Sequence, residues 1–262
     1  TIPDLLQYEQ LKHRQFWVNV EHPELFTKIT YPGPPFKLSH TPWRINQCAP
    51  RPGQHNQEIM EELSRLQTPG AIGVRNPITQ NSQSQKRLPL EGIVVADFTR
   101  VLIGPLLGKY LADFGATVIR IESRLALDQH RVTVPYKGEP NLNRSGIFPL
   151  LNSSKLSLGL NLSNQKGIDV AKRLIAKCDV VLENFVPGMM ERWGLSFSDL
   201  QKITPGIVMF RHSMQGQSGP YARHPGFGWN VNALAGFNHL TGWPDREAVG
   251  PCVVYPDYNP AF

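Results

Sequence analysis

The chain has 262 residues, 40% of them hydrophobic and 18% charged, with a formal net charge of +6. Such a chain can bury a sizeable core as one large domain or two small ones, and its apolar runs fall short of the about 20 residues that a membrane helix needs. The positive balance attracts anions, but no run of five or more Lys and Arg and no alternation of aromatic with basic residues favours nucleic acid; a small ligand with several phosphate charges fits dispersed basic residues equally well.

The opening segment "TIPDLLQYEQLKHRQFW" has neither a basic n-region nor an apolar h-region, and a cytoplasmic location is expected. Next, "RQFWVNVEHPELFTKITYPGPPF" predicts a short strand pair turning at His-Pro, followed by a proline-rich extended stretch; "NQEIMEELSRL" predicts a short helix. Residues 1–66 alone make a thin core. "QTPGAIGVRNPITQNSQSQKR", residues 67–87, is rich in Pro, Gly, Asn, Gln and Ser without periodicity and reads as a linker.

From residue 88 the pattern becomes regular. A buried-type strand at 92–98 ("GIVVADF") precedes a helix at 104–116 that closes at Gly115, and a strand at 117–122 ("TVIRIE") follows. A helix at 167–177, a strand at 179–185, a helix at 198–203 and a strand at 207–212 continue the alternation. The fold class is therefore α/β, a Rossmann-like parallel sheet with flanking helices, with ligands expected at the carboxyl ends of the strands. Those ends carry "TRVLIGP", "ESR", "NFVPG" and "SMQG".

Read one at a time, these loops have ordinary explanations. "DFTRVLIGP" lacks the glycine spacing of a dinucleotide fingerprint or a P-loop, and Pro105 suits the start of a helix. Phe185 in "ENFVPGMMERWG" reads more readily as core than as a platform for a base. Lys155, near a turn, is the kind of lysine that is usually solvated. His212-Ser213 lies outside any GxSxG elbow. Cys48, Cys178 and Cys252 are odd in number and lack CxxC spacing, so they are expected to be reduced and structural, and no metal is expected. Asp257, beside Pro256 in "VVYPDYNPAF", has the composition of a turn.

Taken together and in order, "LPLEGIVVADFTRVLIGP", "LADFGATVIRIE", "LLNSSKLSLGLNL", "DVVLENFVPGMMERWGLSFSDL", "SGPYARHPGFGWNVNALAGF" and "TGWPD" closely resemble the amino-terminal half of the class III CoA-transferases, the CaiB/BaiF type that includes formyl-CoA and carnitine CoA-transferases. The likeness runs from 88 to 262. Residues 1–66 resemble instead the carboxyl-terminal end of such a chain, in the strand pair, "YPGPPF" and the "APxxGxHxxE" helix. A tail before a head implies a piece of a tandem protein: the end of one unit at 1–66, a linker at 67–87 and the incomplete large domain of a second unit at 88–262.

The resemblance implies transfer of coenzyme A between an acyl-CoA thioester and a carboxylic acid. It places the nucleophilic aspartate at Asp257, after "TGWPDREAVGPCVVYP", with Pro256 where glycine is frequent. Arg100, Asn184, Phe185 and Arg192 match positions around CoA. Glu122, Arg124 and Lys155 fall in neighbouring loops, in structural or solvated roles. Leu102 and Ser123 replace a glutamine and an arginine of formyl-CoA transferases, which argues against formyl-CoA and oxalate as substrates. Related α-methylacyl-CoA racemases use a histidine where "GFGWNV" has Phe227, a residue that cannot carry a proton. A racemase-like isomerase is therefore an alternative ranked well below the transferase, and the other alternative is a non-catalytic CoA-binding or scaffold half whose partner unit does the chemistry. An interlocked dimer, or an intrachain pseudo-dimer of two units, is the expected assembly.

Overall fold

The computed structural model describes residues 2–22, 25–33 and 88–258 apart from 143 and 253, together with 37, 39, 56, 57 and 61. Two compact units divide the chain, one joining Thr1–Gln15 to Arg87–Phe262 and the other being Phe16–Lys86. The larger begins with two short helices, α1 (Ile2–Leu5) and α2 (Glu9–His13). In the smaller, β1 (Trp17–His22) pairs antiparallel with β2 (Thr27–Pro32), with Trp17 opposite Pro32, as the β-branched and aromatic pattern around His22 predicts. Most of the proline-rich passage, most of the expected helix at 56–66 and the whole linker at 67–87 lie outside the described residues.

The larger unit continues with β3 (Val94–Asp97), α3 (Ile103–Asp113), β4 (Thr117–Glu122), a 3-10 turn at Gln129–Val132, α4 (Ile147–Asn152) and β5 (Leu156–Gly159). Then come α5 (Gln165–Ile175), β6 (Val180–Glu183), α6 (Met189–Arg192), α7 (Phe197–Ile203) and β7 (Val208–Arg211), followed by α8 (Gly228–Leu234), α9 (Phe237–Leu240) and α10 (Tyr255–Tyr258). The five strands β3 to β7 form a parallel sheet in the order β5-β4-β3-β6-β7. This is the expected α/β architecture, built on apolar strands that are covered on both faces.

Alternation along the strands assigns the two faces. Val95, Val118 and Leu182 pack with Ala112 and Ala116 on the α3 side. Ala96, Ile121 and Val181 pack with Ala171, Ile175, Met190 and Leu200, so α5, α6 and α7 cover the other side. Helix α3 stops at Phe114 because Gly115 takes φ +107°, where a side chain would also strike Leu88. Helix α5 starts two residues earlier than its apolar spacing suggests, because the Asn164 side chain accepts from the Lys166 amide at 2.9 Å and fixes the first turn there. Strand β5 and helix α4 were not legible as elements. Each is only four to six residues long, and β5 is mostly exposed at the sheet edge. Among the described residues no helix is long and apolar enough to cross a membrane.

Candidate active site

Strand order reverses at β3: the chain first builds outward through β4 and β5, then returns to place β6 and β7 on the other side. Helices leave the carboxyl ends of β3 and β6 toward opposite faces, and such a switch point leaves a crevice for a ligand. Arg100 and Asn184 stand on the two loops that meet there. The Arg100 amide donates to Asn184 Oδ1 at 2.8 Å, and Asn184 Nδ2 donates to the Arg100 carbonyl at 2.7 Å. An amide side chain thus takes the place of the missing strand-to-strand ladder and locks one loop to the other. The Arg100 guanidinium lies 6.0 Å from the centre of the Phe185 ring, whose other neighbour is Trp193, packed edge-on at 5.4 Å.

The β3 loop is held under strain. Val101 has φ +69°, a left-handed conformation that a β-branched residue rarely adopts. It persists because the Val101 amide donates to Asp128 Oδ2 at 3.0 Å while its neighbour Arg100 is held by Asn184. Strain of this kind costs about 1–3 kcal/mol and requires that its surroundings over-determine it.

Those surroundings are a buried charge network under the loop. The Lys155 ammonium, 2% exposed, donates to Asp97 Oδ2 at 2.8 Å, to the Pro105 carbonyl at 2.7 Å and to Asn152 Oδ1 at 3.1 Å. Lys155 is therefore a buried structural cation and not a solvated one, a correction that comes from β5 placing it beneath β3. The Thr99 amide and hydroxyl both donate to the other Asp97 oxygen. Arg120 bonds Asp128, Asn152 and the Thr99 carbonyl, and Arg131 grips Glu122 through its guanidinium while lying 3.7 Å above the Phe148 ring. Burial pushes the Glu122 carboxyl up, but Arg131, the Asp128 amide and Arg120 together hold it below the usual range. Burial also lowers the Lys155 pKa, a fall that Asp97 opposes. Arg124 is exposed. Helix α3 can close on this network because Gly104 and Gly108 lie one turn apart: a Cβ on Gly104 would strike Thr99, and one on Gly108 would come within 2.7 Å of Asp97 Oδ2. The sequence signals were Arg120 inside an otherwise apolar strand, which demands a buried partner, and the Gly-x-x-x-Gly spacing.

Asp257 sits elsewhere in the larger unit, on the short helix α10. Its half-buried carboxylate rests on Gly228, the first residue of α8, whose amide donates to it. A Cβ at Gly228 would meet all three carboxyl atoms at 2.5–2.9 Å, so a larger residue there would displace the carboxylate from this position. Burial raises the Asp257 pKa and the single amide bond opposes that rise only in part. The first turn of α8 is fixed by Asn230, whose Oδ1 accepts from the Phe227 amide at 2.9 Å. The two helices that form this seat carry exposed aromatic residues: Phe227 and Trp229 at the start of α8, and Tyr255 and Tyr258 on α10.

Between these places runs the loop from β7 to α8. Arg211, at the end of β7, donates to Glu183 Oε1 at 2.8 Å and to Glu191 Oε1 at 2.7 Å; Glu183 also accepts from the Phe185 amide, and its burial raises its pKa against those bonds. Arg211, Glu191, Gly188, Ser218 and Arg223 line a cleft of about 420 Å³. None of the five sequence-predicted residues lines it. The structure brings Arg100, Asn184 and Phe185 together. Arg192 is exposed at the end of α6, with its guanidinium against Met189 Sδ at 3.4 Å. Among the described residues, neither Arg192 nor Asp257 makes a hydrogen bond or ring contact with the Arg100 group. Cys178 is buried and Cys252 exposed, both as free thiols.

The sequence profile of CoA-transferase family III matches residues 1–56 and 90–262. The alpha subunit of succinyl-CoA–L-malate CoA-transferase from Chloroflexus aurantiacus is 36% identical over 178 residues, which are 67% of this chain and 41% of that relative. Succinyl-CoA:glutarate CoA-transferase of Mus musculus is 37% identical over 191 residues, 72% of this chain and 43% of the relative. Among solved structures, a CAIB/BAIF family protein from Brucella suis superposes with a TM-score of 0.60 at 33% identity, covering 66% of this chain and 46% of that protein. The chain spans less than half the length of these relatives. With the profile matched over most of its residues and the sheet shared with a solved relative, the chain belongs to CoA-transferase family III.

Proposed function

We propose that the protein moves coenzyme A from an acyl-CoA thioester to a carboxylic acid, with Asp257 as the group that carries CoA between them. Related proteins named for transfer from succinyl-CoA to malate or glutarate, and from acetyl-CoA to oxalate, support a dicarboxylate-type acceptor. The observation that carries the reading is the seat of Asp257: a half-buried carboxylate set against Gly228 with one amide bond is a stronger nucleophile than a fully solvated one.

The Asp257 carboxylate attacks the thioester carbonyl carbon. A C–O bond forms, the C–S bond breaks and the thiolate leaves with its electron pair, giving a mixed anhydride on Asp257. The thiolate then attacks the aspartyl carbonyl carbon, releasing the first acid as its carboxylate and leaving an aspartyl-CoA thioester. The acceptor carboxylate repeats the two steps in reverse order, and Asp257 returns to its free carboxylate with no net proton change. Water must stay out of both anhydride stages. Arg100, Phe185 and Arg192 suit the donor: a ring face with a guanidinium beside it fits a base, and an exposed guanidinium fits phosphate. Residues 1–66 are read as the end of a preceding unit and 88–262 as the start of the next, paired within one chain or as interlocked subunits in the cytoplasm.

The test uses the full-length protein with a panel of acyl-CoA thioesters, trapped with hydroxylamine and mapped by peptide mass spectrometry. Label confined to the Asp257 peptide is expected, and Asp257→Ala should lower transfer by at least about 10³-fold. Transfer unchanged in that variant would sink the assignment and leave the non-catalytic CoA-binding reading.

A further inference from the structure

Gln10, on the five-residue helix α2, is 1% exposed, among the most buried polar residues described. Among the described residues its side-chain amide bonds only backbone atoms of the β7–α8 loop. Nε2 donates to the Gln215 carbonyl at 2.7 Å and to the Ser218 carbonyl at 2.8 Å, and Oε1 accepts from the Tyr221 amide at 3.0 Å. Three of its four hydrogen-bonding positions are thereby used on one loop. The loop has shaped itself around the side chain. Gly216 and Gly219 have φ +86° and +108°, and a Cβ on either would collide with Arg14 or Gln10. Tyr8 stacks on Tyr221 at 5.5 Å and 7° and donates to Gln215 Oε1 at 3.3 Å, closing the other side of the clasp.

The clasped loop connects two parts of the site. At one end Arg211 ties it to Glu183, next to Asn184 and Phe185. At the other end it delivers Gly228, the seat of Asp257. Gly226 lies against Met214, so the far end of the loop folds back on its beginning and a shift at 215–221 has little slack to absorb it. The Gln215 carbonyl is buried and held by Gln10, so loss of that side chain leaves a buried acceptor without this partner, while the Ser218 carbonyl and the Tyr221 amide lose the bonds that order the rest of the loop.

We infer that Gln10 is a positioning residue for the transfer reaction, holding the β7–α8 loop so that Gly228 presents its amide to the Asp257 carboxylate. The inference rests on the role proposed for Asp257. It further means that a segment far upstream in sequence helps to complete the site of the unit at 88–262.

The test compares full-length wild type, Gln10→Leu, Gln10→Glu and Asp257→Ala by hydrogen exchange mass spectrometry and by steady-state kinetics with succinyl-CoA and glutarate. In the wild type the Tyr221 amide should be protected; rapid exchange there would overturn the clasp without any variant. In Gln10→Leu, exchange of peptides covering both 215–221 and 226–234 should rise about tenfold or more while the sheet peptides keep their protection. Its kcat should fall about tenfold or more with KM for the donor within about threefold, the pattern of a misplaced nucleophile. Faster exchange confined to 215–221 with kcat unchanged would make Gln10 a structural latch only and overturn the inference. If Gln10→Leu fails to fold, Gln10→Glu, which keeps the acceptor for Tyr221 and loses the two donors, is read by the same criteria. An Asp257→Ala protein with wild-type transfer would refute the proposed nucleophile, while the exchange at 226–234 would still report whether Gln10 holds the α8 terminus.

Discussion

The carboxylates under the β3 loop are buried and that of Asp257 is half-buried, and their surroundings differ in kind. Asp97, Glu122 and Asp128 are enclosed by Lys155, Arg120 and Arg131 with hydrogen bonds to nearly every oxygen. Asp257 has one amide bond, no cation within bonding distance among the described residues, and exposed aromatic residues on the two helices that form its seat. A group that is saturated with partners holds shape; one that is partly desolvated with little compensation keeps its reactivity. The first region therefore suits the support of a strained loop, and the second suits covalent chemistry.

The sharpest way to break this contrast is to unbalance the saturated region. Lys155→Met leaves Asp97 without its cation, and chemical denaturation should show a loss of about 3–5 kcal/mol. Unchanged stability would mean that the network does not support the loop. Gly228→Ala tests the sparse region by placing a methyl group against the Asp257 carboxylate. Transfer should fall about 10²-fold, since a misplacement near 1 Å costs that much, while the melting temperature moves little. Phe185→Ala probes the ring at the switch point. If Phe185 stacks the donor's base as proposed, a contact worth about 1–3 kcal/mol is lost and KM for the acyl-CoA donor should rise about tenfold with kcat held, read by initial rates.

The gentlest probe is pH. The Glu122 pKa is lowered on folding, so its contribution to stability is present above the ordinary carboxylate range and is lost as pH falls through its depressed value. The Asp257 pKa is raised, so its ionisation works against stability as pH rises through that value, and its reactive form disappears as pH falls through it. Activity should consequently fail on acidification before the fold does. Measuring kcat/KM and far-ultraviolet circular dichroism on the same samples checks this order; coincident loss would contradict it.

Much of the sheet was legible because its strands are short, apolar and spaced by amphipathic helices, so periodicity alone located β3, β4, β6 and β7 and helices α3, α5 and α7. The resemblance drew attention to Arg100, Asn184 and Phe185, and they do meet. Single-residue reasoning favoured a core role for Phe185, and its ring does pack against the core beside Trp193 while its other side faces Arg100; it favoured a turn for Asp257, because local composition does not show that Gly228 lies against the carboxylate. Lys155 went the other way: its turn composition hid the fact that β5 lies beside β4 and carries it beneath β3.

From sequence alone came the alternation that dictates a parallel sheet, the glycine that ends α3, and an ordered series of motifs whose strand-end positions follow from the period of the strands. Tertiary structure decided which loops became neighbours, that Gly104 and Gly108 admit a buried charge network, that Gly228 is the seat of Asp257, and that Gln10 clasps a loop some 205 residues away. Local spacing sets the conformation of a segment, because its forces act within a few residues. Partners for buried charges and for loop carbonyls are supplied by chain crossings between segments remote in sequence, and no local pattern encodes which crossing will bring them together.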